Sequence, residues 1–105
     1  MSAKNKILLV CASGMSTSLL VKAMQKAADA EGYPAEISFA PVAGFEDRLD
    51  GVKAVLAGPQ IKNRLEEMKG ICSESNIPVE VIPNQIYGLV DGKKALELAK
   101  KMIAG

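Results

Sequence analysis

The chain has 105 residues, with thirteen basic and twelve acidic side chains and a net charge of +1. A chain of this size forms one domain, which we place at residues 1–105 and which buries roughly 65% of its unfolded surface. The charge balance argues against nucleic acids and membrane surfaces as partners, because both favour a clear basic excess, and no apolar run approaches the ~20 residues of a membrane helix.

The predicted elements alternate between strands and helices. The first strand, residues 6–10, has no polar interruption, as expected for a parallel strand that is covered on both faces. A helix over residues 16–31 follows and ends at Gly32. The later predicted elements are a strand at 36–40, a helical turn at 45–50, a strand at 53–57, a long helix at 60–75, a strand at 79–82, a loop or short turn at 83–88, and a final helix capped by Asp91.

This alternation predicts an α/β fold with a four-stranded parallel sheet and helices on both faces, a three-layer α/β/α domain with right-handed crossovers. In such folds ligands bind at the carboxyl ends of the strands. The loop that starts at Cys11 follows the first strand and therefore lies at such an end.

Cysteine and histidine usage limits the possible chemistry. The four aliphatic residues 7–10 fall short of the about 7–15 apolar residues of a signal peptide, so we expect a cytoplasmic protein with free thiols. The separation of Cys11 and Cys72 matches no zinc spacing. The sequence contains no histidine, which removes Ser-His and Cys-His pairs and most transition-metal sites. We therefore expect no metal and no cofactor, and a nucleophile that works without an imidazole of its own.

The segment after Cys11 has the composition of a phosphate-binding loop. A helix N-terminus attracts anions, and the same field favours thiolate over thiol, which makes Cys11 a candidate nucleophile. Small residues let backbone N–H groups surround a tetrahedral anion, Gly14 permits a positive φ, and hydroxyls add donors. The candidate phosphate-binding residues are Ala12, Ser13, Gly14, Met15, Ser16, Thr17 and Ser18.

Each of these residues also has a purely structural interpretation. A cysteine that ends a buried strand is often a small core hydrophobe. One of Ser16, Thr17 or Ser18 is expected to cap the helix whether or not phosphate binds. Cys72 lies on the apolar stripe of its helix with no anion-binding loop beside it, and we predict that it is a core residue.

The chain resembles the cytoplasmic IIB component of the lactose/cellobiose (diacetylchitobiose) class of the bacterial phosphoenolpyruvate-dependent sugar phosphotransferase system (PTS). The resemblance covers essentially the whole chain and is most specific at residues 8–18 (LLVCASGMSTS), which look like the family's phosphocysteine loop. Residues 58–61 (GPQI) and 87–92 (YGLVDG) support it. It implies a flavodoxin-like topology, shared with low-molecular-weight tyrosine phosphatases, with strand order 2-1-3-4.

The resemblance also implies a two-step relay. Cys11 would accept a phosphoryl group from a phosphohistidine on a IIA partner and form S-phosphocysteine. The group would then pass to a β-glucoside-type sugar (cellobiose, chitobiose or lactose) that is bound in the membrane component IIC. The protein itself would be a cytoplasmic monomer, without membrane insertion.

Three alternative functions can be weighed on the sequence. A low-molecular-weight tyrosine phosphatase or arsenate reductase needs an arginine six residues after its cysteine; here that position is Thr17, and the first arginine is Arg48. Without it a phosphoenzyme is poorly set up for attack by water, which favours a carrier over a hydrolase. A flavodoxin-like binding domain would need aromatic side chains beside the first loop, and a response receiver would need acidic residues there; neither set is present.

A partner has to reach Cys11, so the loops around it are the predicted docking face. Candidate contact residues follow the strand ends, although their prolines and glycines are also ordinary turn residues. The candidates are Met15, Pro41, Gln60, Pro83 and Tyr87.

Overall fold

The computed structural model describes residues 4–12 and 15–105. The strands are β1 (Asn5–Cys11), β2 (Ala35–Pro41), β3 (Val52–Ala57) and β4 (Val79–Val81). They form one parallel sheet in the order β2-β1-β3-β4. The predicted fold class and strand order are confirmed, and β1 occupies an interior position because its aliphatic run is covered on both faces.

Helices cover both faces of the sheet. They are α1 (Met15–Glu31), α2 (Leu65–Ser73), α3 (Asn84–Gly88) and α4 (Gly92–Ala104), together with short 3₁₀ helices at Phe45–Arg48 and Pro59–Arg64. Alternate residues of β1 pack in two separate hydrophobic cores, one on each face of the sheet. Leu9 packs in a cluster with residues of α1 and α4, whereas Val10 packs in a cluster with residues of α2. Successive strand side chains point to opposite faces of the sheet, so residues of this one strand pack in the cores on both sides of it.

The N-terminus of α4 is fixed in two ways. Asp91 caps the helix, as predicted, by accepting a hydrogen bond of 3.1 Å from the backbone N–H of Lys94. Gly92 lies against the backbone of Ala23 in α1, so closely that a Cβ at this position would come within 2.3 Å of the Ala23 carbonyl carbon. The two helices therefore approach at a point where a side chain on Gly92 has no room.

The prediction of one long helix over residues 60–75 is wrong. The segment begins as the 3₁₀ helix Pro59–Arg64 and continues as the nine-residue α2. The break falls at Ile61, whose φ of −115° and ψ of 23° are not helical, while its side chain is buried. Anchoring Ile61 in the core directly after Pro59 fixes this backbone, although the apolar spacing along the segment stays helical.

Residues 83–88, predicted as a loop or short turn, form the five-residue helix α3. Val90, between α3 and α4, has a φ of 50°. A β-branched residue rarely adopts this left-handed conformation.

In the part of the chain that the structure describes, no helix is long and apolar enough to cross a membrane.

Candidate active site

The carboxyl ends of the four strands meet at one edge of the sheet, with Cys11 in its interior. Cys11 is in register with Pro41 of β2, and the preceding residue of β1 pairs with Ala57 of β3. Backbone hydrogen bonds to β1 continue one residue beyond the ends of β2 and β3. The N–H of Val42 donates to the Cys11 carbonyl and the N–H of Gly58 donates to the Val10 carbonyl, both at 2.8 Å. The topology therefore brings the predicted nucleophile and the predicted contact loops together.

The Cys11 thiol is enclosed in this structure. The residue is 1% exposed, and its Sγ lies 3.9 Å from the backbone carbonyl oxygen of Ala40, a weak S–H···O contact. Gly58, directly after β3, flanks Cys11: a Cβ on Gly58 would lie 3.8 Å from the Cys11 Cβ and 2.6 Å from Oε1 of Gln60. A reaction partner reaches Sγ only after the atoms that cover it move aside.

The described part of the candidate phosphate loop runs from Ala12 to the first turn of α1. Ala12 is exposed, Thr17 is buried and Ser18 is half-buried. Ser13 and Gly14, and the side chains of Met15 and Ser16, lie outside the described residues, so their predicted roles stay predictions. The first turn of α1 carries no acidic side chain, and its positive end therefore has no carboxylate of its own helix to neutralise it.

The prediction that Ser16, Thr17 or Ser18 caps the helix is wrong. Helix α1 begins at Met15, so the capping position precedes all three hydroxyl residues. Thr17 has another partner instead. Its Oγ1 lies 3.0 Å from the phenol oxygen of Tyr87, a residue 70 positions further along the chain. This hydrogen bond joins the first turn of α1 to α3 and was not expected from the sequence, since no local pattern connects residues so far apart.

The predicted contact residues fall into two groups. Pro41, Gln60 and Pro83 are exposed and lie at or just beyond the carboxyl ends of β2, β3 and β4. Tyr87 is half-buried because its hydroxyl faces Thr17. The side chain of Met15 is outside the described residues. The loop geometry thus makes three of the five candidates directly accessible beside Cys11.

Cys72 has the predicted position in the core. It is fully buried on α2, and burial raises the pKa of its thiol because the charged form would lose hydration. Its carbonyl accepts a hydrogen bond from Ile77, just before β4. Cys72 therefore lies toward the amino end of the sheet, away from the edge that carries Cys11.

A groove of about 1370 Å³ also lies at the amino edge. It is lined by residues that precede β3 and β4, including Gly51 and Pro78, and by Ile103 near the end of α4. It is therefore separate from the Cys11 site. Among the described residues, no group of three or more Cys, Asp or Glu side chains is arranged to hold a metal ion.

Comparison with known proteins agrees with this arrangement. The family model described as the lactose/cellobiose-specific IIB subunit of the PTS matches residues 6–98. The oligo-beta-mannoside-specific EIIB component of Bacillus subtilis is 43% identical over 98 residues, covering 93% of this chain and 95% of that protein. The lactose-specific EIICB component of Streptococcus mutans is 29% identical over 100 residues, which are 93% of this chain and 18% of that protein.

A solved structure shows the same fold. The solution structure of the cellobiose-specific IIB component of Borrelia burgdorferi superimposes with a TM-score of 0.80 at 32% identity, covering 97% of this chain and 94% of that one. The family match begins at the second residue of β1 and spans the candidate phosphate loop and the other three strands of the sheet. The chain belongs to the lactose/cellobiose-specific IIB subunits of the PTS and is a phosphotransferase of sugar transport.

Proposed function

We propose that Cys11 is the phosphoryl carrier of this IIB component, within one IIB domain over residues 1–105. The observation that carries the proposal is the position of Cys11: it ends an interior strand, at the edge where α1 begins and the other strand-end loops converge. The second cysteine is in the core with a raised thiol pKa, and the chain has no histidine that could carry a phosphoryl group instead.

The reaction has two phosphoryl-transfer steps. The Cys11 thiolate attacks phosphorus of a phosphohistidine on the IIA component, so that an S–P bond forms as the P–N bond breaks and the electron pair stays on the imidazole. A sugar hydroxyl presented by IIC then attacks the same phosphorus, so that an O–P bond forms as the S–P bond breaks; the hydroxyl proton passes to water and the electron pair of the S–P bond leaves with the thiolate. Both steps depend mainly on positioning and on stabilising charge on the phosphoryl oxygens.

Residues 12–18 supply that stabilisation in the proposal. They contain no cation, so backbone N–H groups, hydroxyls and the positive end of α1 hold the phosphoryl oxygens. The helix terminus contributes about 0.3–1 kcal/mol, and up to ~2 kcal/mol when partly buried. This modest hold suits a group that has to be passed on. Thr17, which stands where the related phosphatases have arginine, leaves the intermediate without the clamp that supports hydrolysis.

The partners follow from the same geometry. IIB components of this system work with IIA and IIC components. We place their docking on the exposed Pro41, Gln60 and Pro83 around Cys11, with Met15 and Tyr87 at its border. The sugar is a β-linked oligosaccharide of the cellobiose or lactose type, selected by IIC rather than by this chain. The protein acts in the cytoplasm as a monomer that meets one partner at a time.

Matched alanine variants of the two cysteines test the carrier assignment. Cys11→Ala removes the nucleophile, and we expect no phosphoryl uptake from a phosphorylated IIA component of this class, measured with labelled phosphoenolpyruvate and the general PTS proteins. Cys72→Ala removes a core thiol of the same size, and we expect uptake to the wild-type extent. Circular dichroism checks that both variants are folded. Retained uptake in folded Cys11→Ala, or equal loss in both variants, would contradict the assignment.

A further inference from the structure

The hydrogen bond between Thr17 and Tyr87 ties the phosphate loop to a distant segment. Among the residues that the structure describes, Thr17 is the one buried polar side chain, with 1% of its surface exposed. Its Oγ1 is 3.0 Å from the Tyr87 hydroxyl. A buried hydroxyl without a partner is destabilising, so the Thr17 side chain is held by this contact in one orientation.

Tyr87 is itself held firmly in place. Its N–H donates to the Pro83 carbonyl at 3.0 Å, and the N–H of Asp91 donates back to α3, to the Ile86 carbonyl, at 2.9 Å. Gly92 follows and rests on the backbone of Ala23. The segment 83–92 therefore meets α1 at two levels, at Thr17 and nearly two turns later at Ala23. Its Val90 keeps a left-handed φ of 50°, which persists only where the surrounding contacts impose it.

We infer that Tyr87 is a positioning residue for phosphoryl transfer, acting through Thr17; this rests on the proposed carrier function of Cys11. The phenol fixes the Thr17 hydroxyl and, with it, the first turn of α1. The backbone N–H groups of that turn are then already placed when the phosphoryl group arrives. Each hydroxyl has one donor and two acceptor sites, so Thr17 keeps hydrogen-bonding capacity beyond its bond to Tyr87.

A positioning residue and a partner contact differ in their kinetic signatures. If Tyr87 acts through Thr17, losing its hydroxyl lowers kcat for phosphoryl uptake and leaves the KM for the phosphorylated IIA component unchanged, because that hydroxyl faces Thr17 and not the docking partner. If Tyr87 is instead part of the docking face, the KM rises and kcat stays constant. The two roles are therefore separable in one assay.

The test uses four variants in steady-state transfer from a phosphorylated IIA component, at varied donor concentration, to a sugar acceptor through IIC. Tyr87→Phe removes only the phenol oxygen, and Thr17→Val replaces the hydroxyl by a methyl group of similar size. We expect each to lower kcat about two- to tenfold, as the loss of one hydrogen bond implies. The double variant should be no slower than the slower single variant, since both remove the same bond. Tyr33→Phe, a half-buried tyrosine beyond the far end of α1, is the matched control and should keep the wild-type kcat.

Three results would overturn the proposal. A raised KM with unchanged kcat in Tyr87→Phe assigns the residue to docking. If the fold-decrease in kcat of the double variant equals the product of the two single decreases, the two hydroxyls act separately. If kcat and KM are unchanged in both single variants, the hydrogen bond between Thr17 and Tyr87 serves only stability. A lowered midpoint of unfolding in these variants would show that role. Wild-type uptake on Cys11 in the same assay separates these failures from failure of the carrier function, on which the inference depends.

Discussion

Cys11 and Cys72 are both buried, but they lie in different parts of the fold. Cys11 ends β1 at the carboxyl edge of the sheet, where α1 begins and its thiol contacts a backbone carbonyl. Cys72 lies on the inward face of α2 among aliphatic side chains, with nothing charged to favour its thiolate. Position relative to the helix terminus, rather than burial, distinguishes the proposed nucleophile from the core residue.

The raised pKa of Cys72 predicts a contribution to alkaline unfolding. Because the thiol pKa is higher in the folded than in the unfolded state, the folded state keeps its proton longer. The stabilisation is complete below the ordinary thiol range near 8.5 and is lost as the pH rises through that range and the folded-state pKa. Between pH 7 and pH 10, wild type should therefore lose more free energy of unfolding than Cys72→Ala, as measured by urea denaturation.

Cys11 and all tyrosine and lysine residues are common to both proteins, so the difference between the two pH profiles isolates Cys72. The absolute stability of Cys72→Ala is lower at every pH, because the smaller side chain leaves a cavity. That offset does not affect the comparison. Parallel pH profiles for the two proteins would show that Cys72 does not titrate differently in the folded state.

At the level of single residues, the sequence correctly predicted that Cys11 follows the first strand's aliphatic run and that Asp91 caps a helix, but it did not predict the partner of Thr17. A strand end and a helix cap are local patterns, and local patterns are visible in the sequence. The hydrogen bond from Thr17 to Tyr87 joins residues 70 positions apart. It depends on how α3 lies against α1, which no periodicity along the chain reveals.

The secondary-structure elements show where periodicity is informative and where it fails. The four strands agree with their predicted ranges to within two residues at each end, because short segments rich in apolar residues and bounded by turns are typical of strands. The long helix predicted at 60–75 fails because its apolar spacing is also satisfied by a 3₁₀ helix followed by α2. The backbone break at Ile61 is imposed by tertiary anchoring after Pro59.

The contact between α1 and α4 predicts opposite effects of alanine at two glycines. In Gly92→Ala the new Cβ would meet Ala23 at 2.3–2.6 Å, and the atoms it meets include the backbone carbonyl. We expect the free energy of unfolding to fall by about 3 kcal/mol, the upper range for overpacking. In Gly70→Ala the Cβ has no neighbour within 4 Å in the middle of α2, and we expect a gain of about 0.5–1 kcal/mol from the greater helix propensity of alanine.

Chemical denaturation of both glycine variants beside wild type measures the two changes. Gly70→Ala is the control for the glycine-to-alanine exchange itself, since both residues lie in helices. A Gly92→Ala protein as stable as wild type would show that α1 and α4 can separate without loss. The close approach of these helices would then not be what holds segment 83–92 against α1.

In the whole molecule, the candidate active site lies at the carboxyl edge of the sheet and Cys72 lies toward the amino edge. The strand order β2-β1-β3-β4 gathers Cys11, the start of α1 and the loops after β2, β3 and β4 at the carboxyl edge. The fold class, this edge and the family all follow from the alternation of elements and from residues 8–18. The burial of Cys11 does not, because it depends on tertiary packing at this edge.

The central claim is that Cys11 accepts a phosphoryl group and holds it for transfer. Mass spectrometry after incubation with a phosphorylated IIA component tests it most directly, with intact mass and peptide mapping before and after a sugar acceptor and IIC are added. We predict one added phosphoryl group on the Cys11 peptide, little release of inorganic phosphate, and loss of the group to the sugar when the acceptor is present. A phosphoryl group on another residue, or steady phosphate release without accumulation of S-phosphocysteine, would contradict the claim.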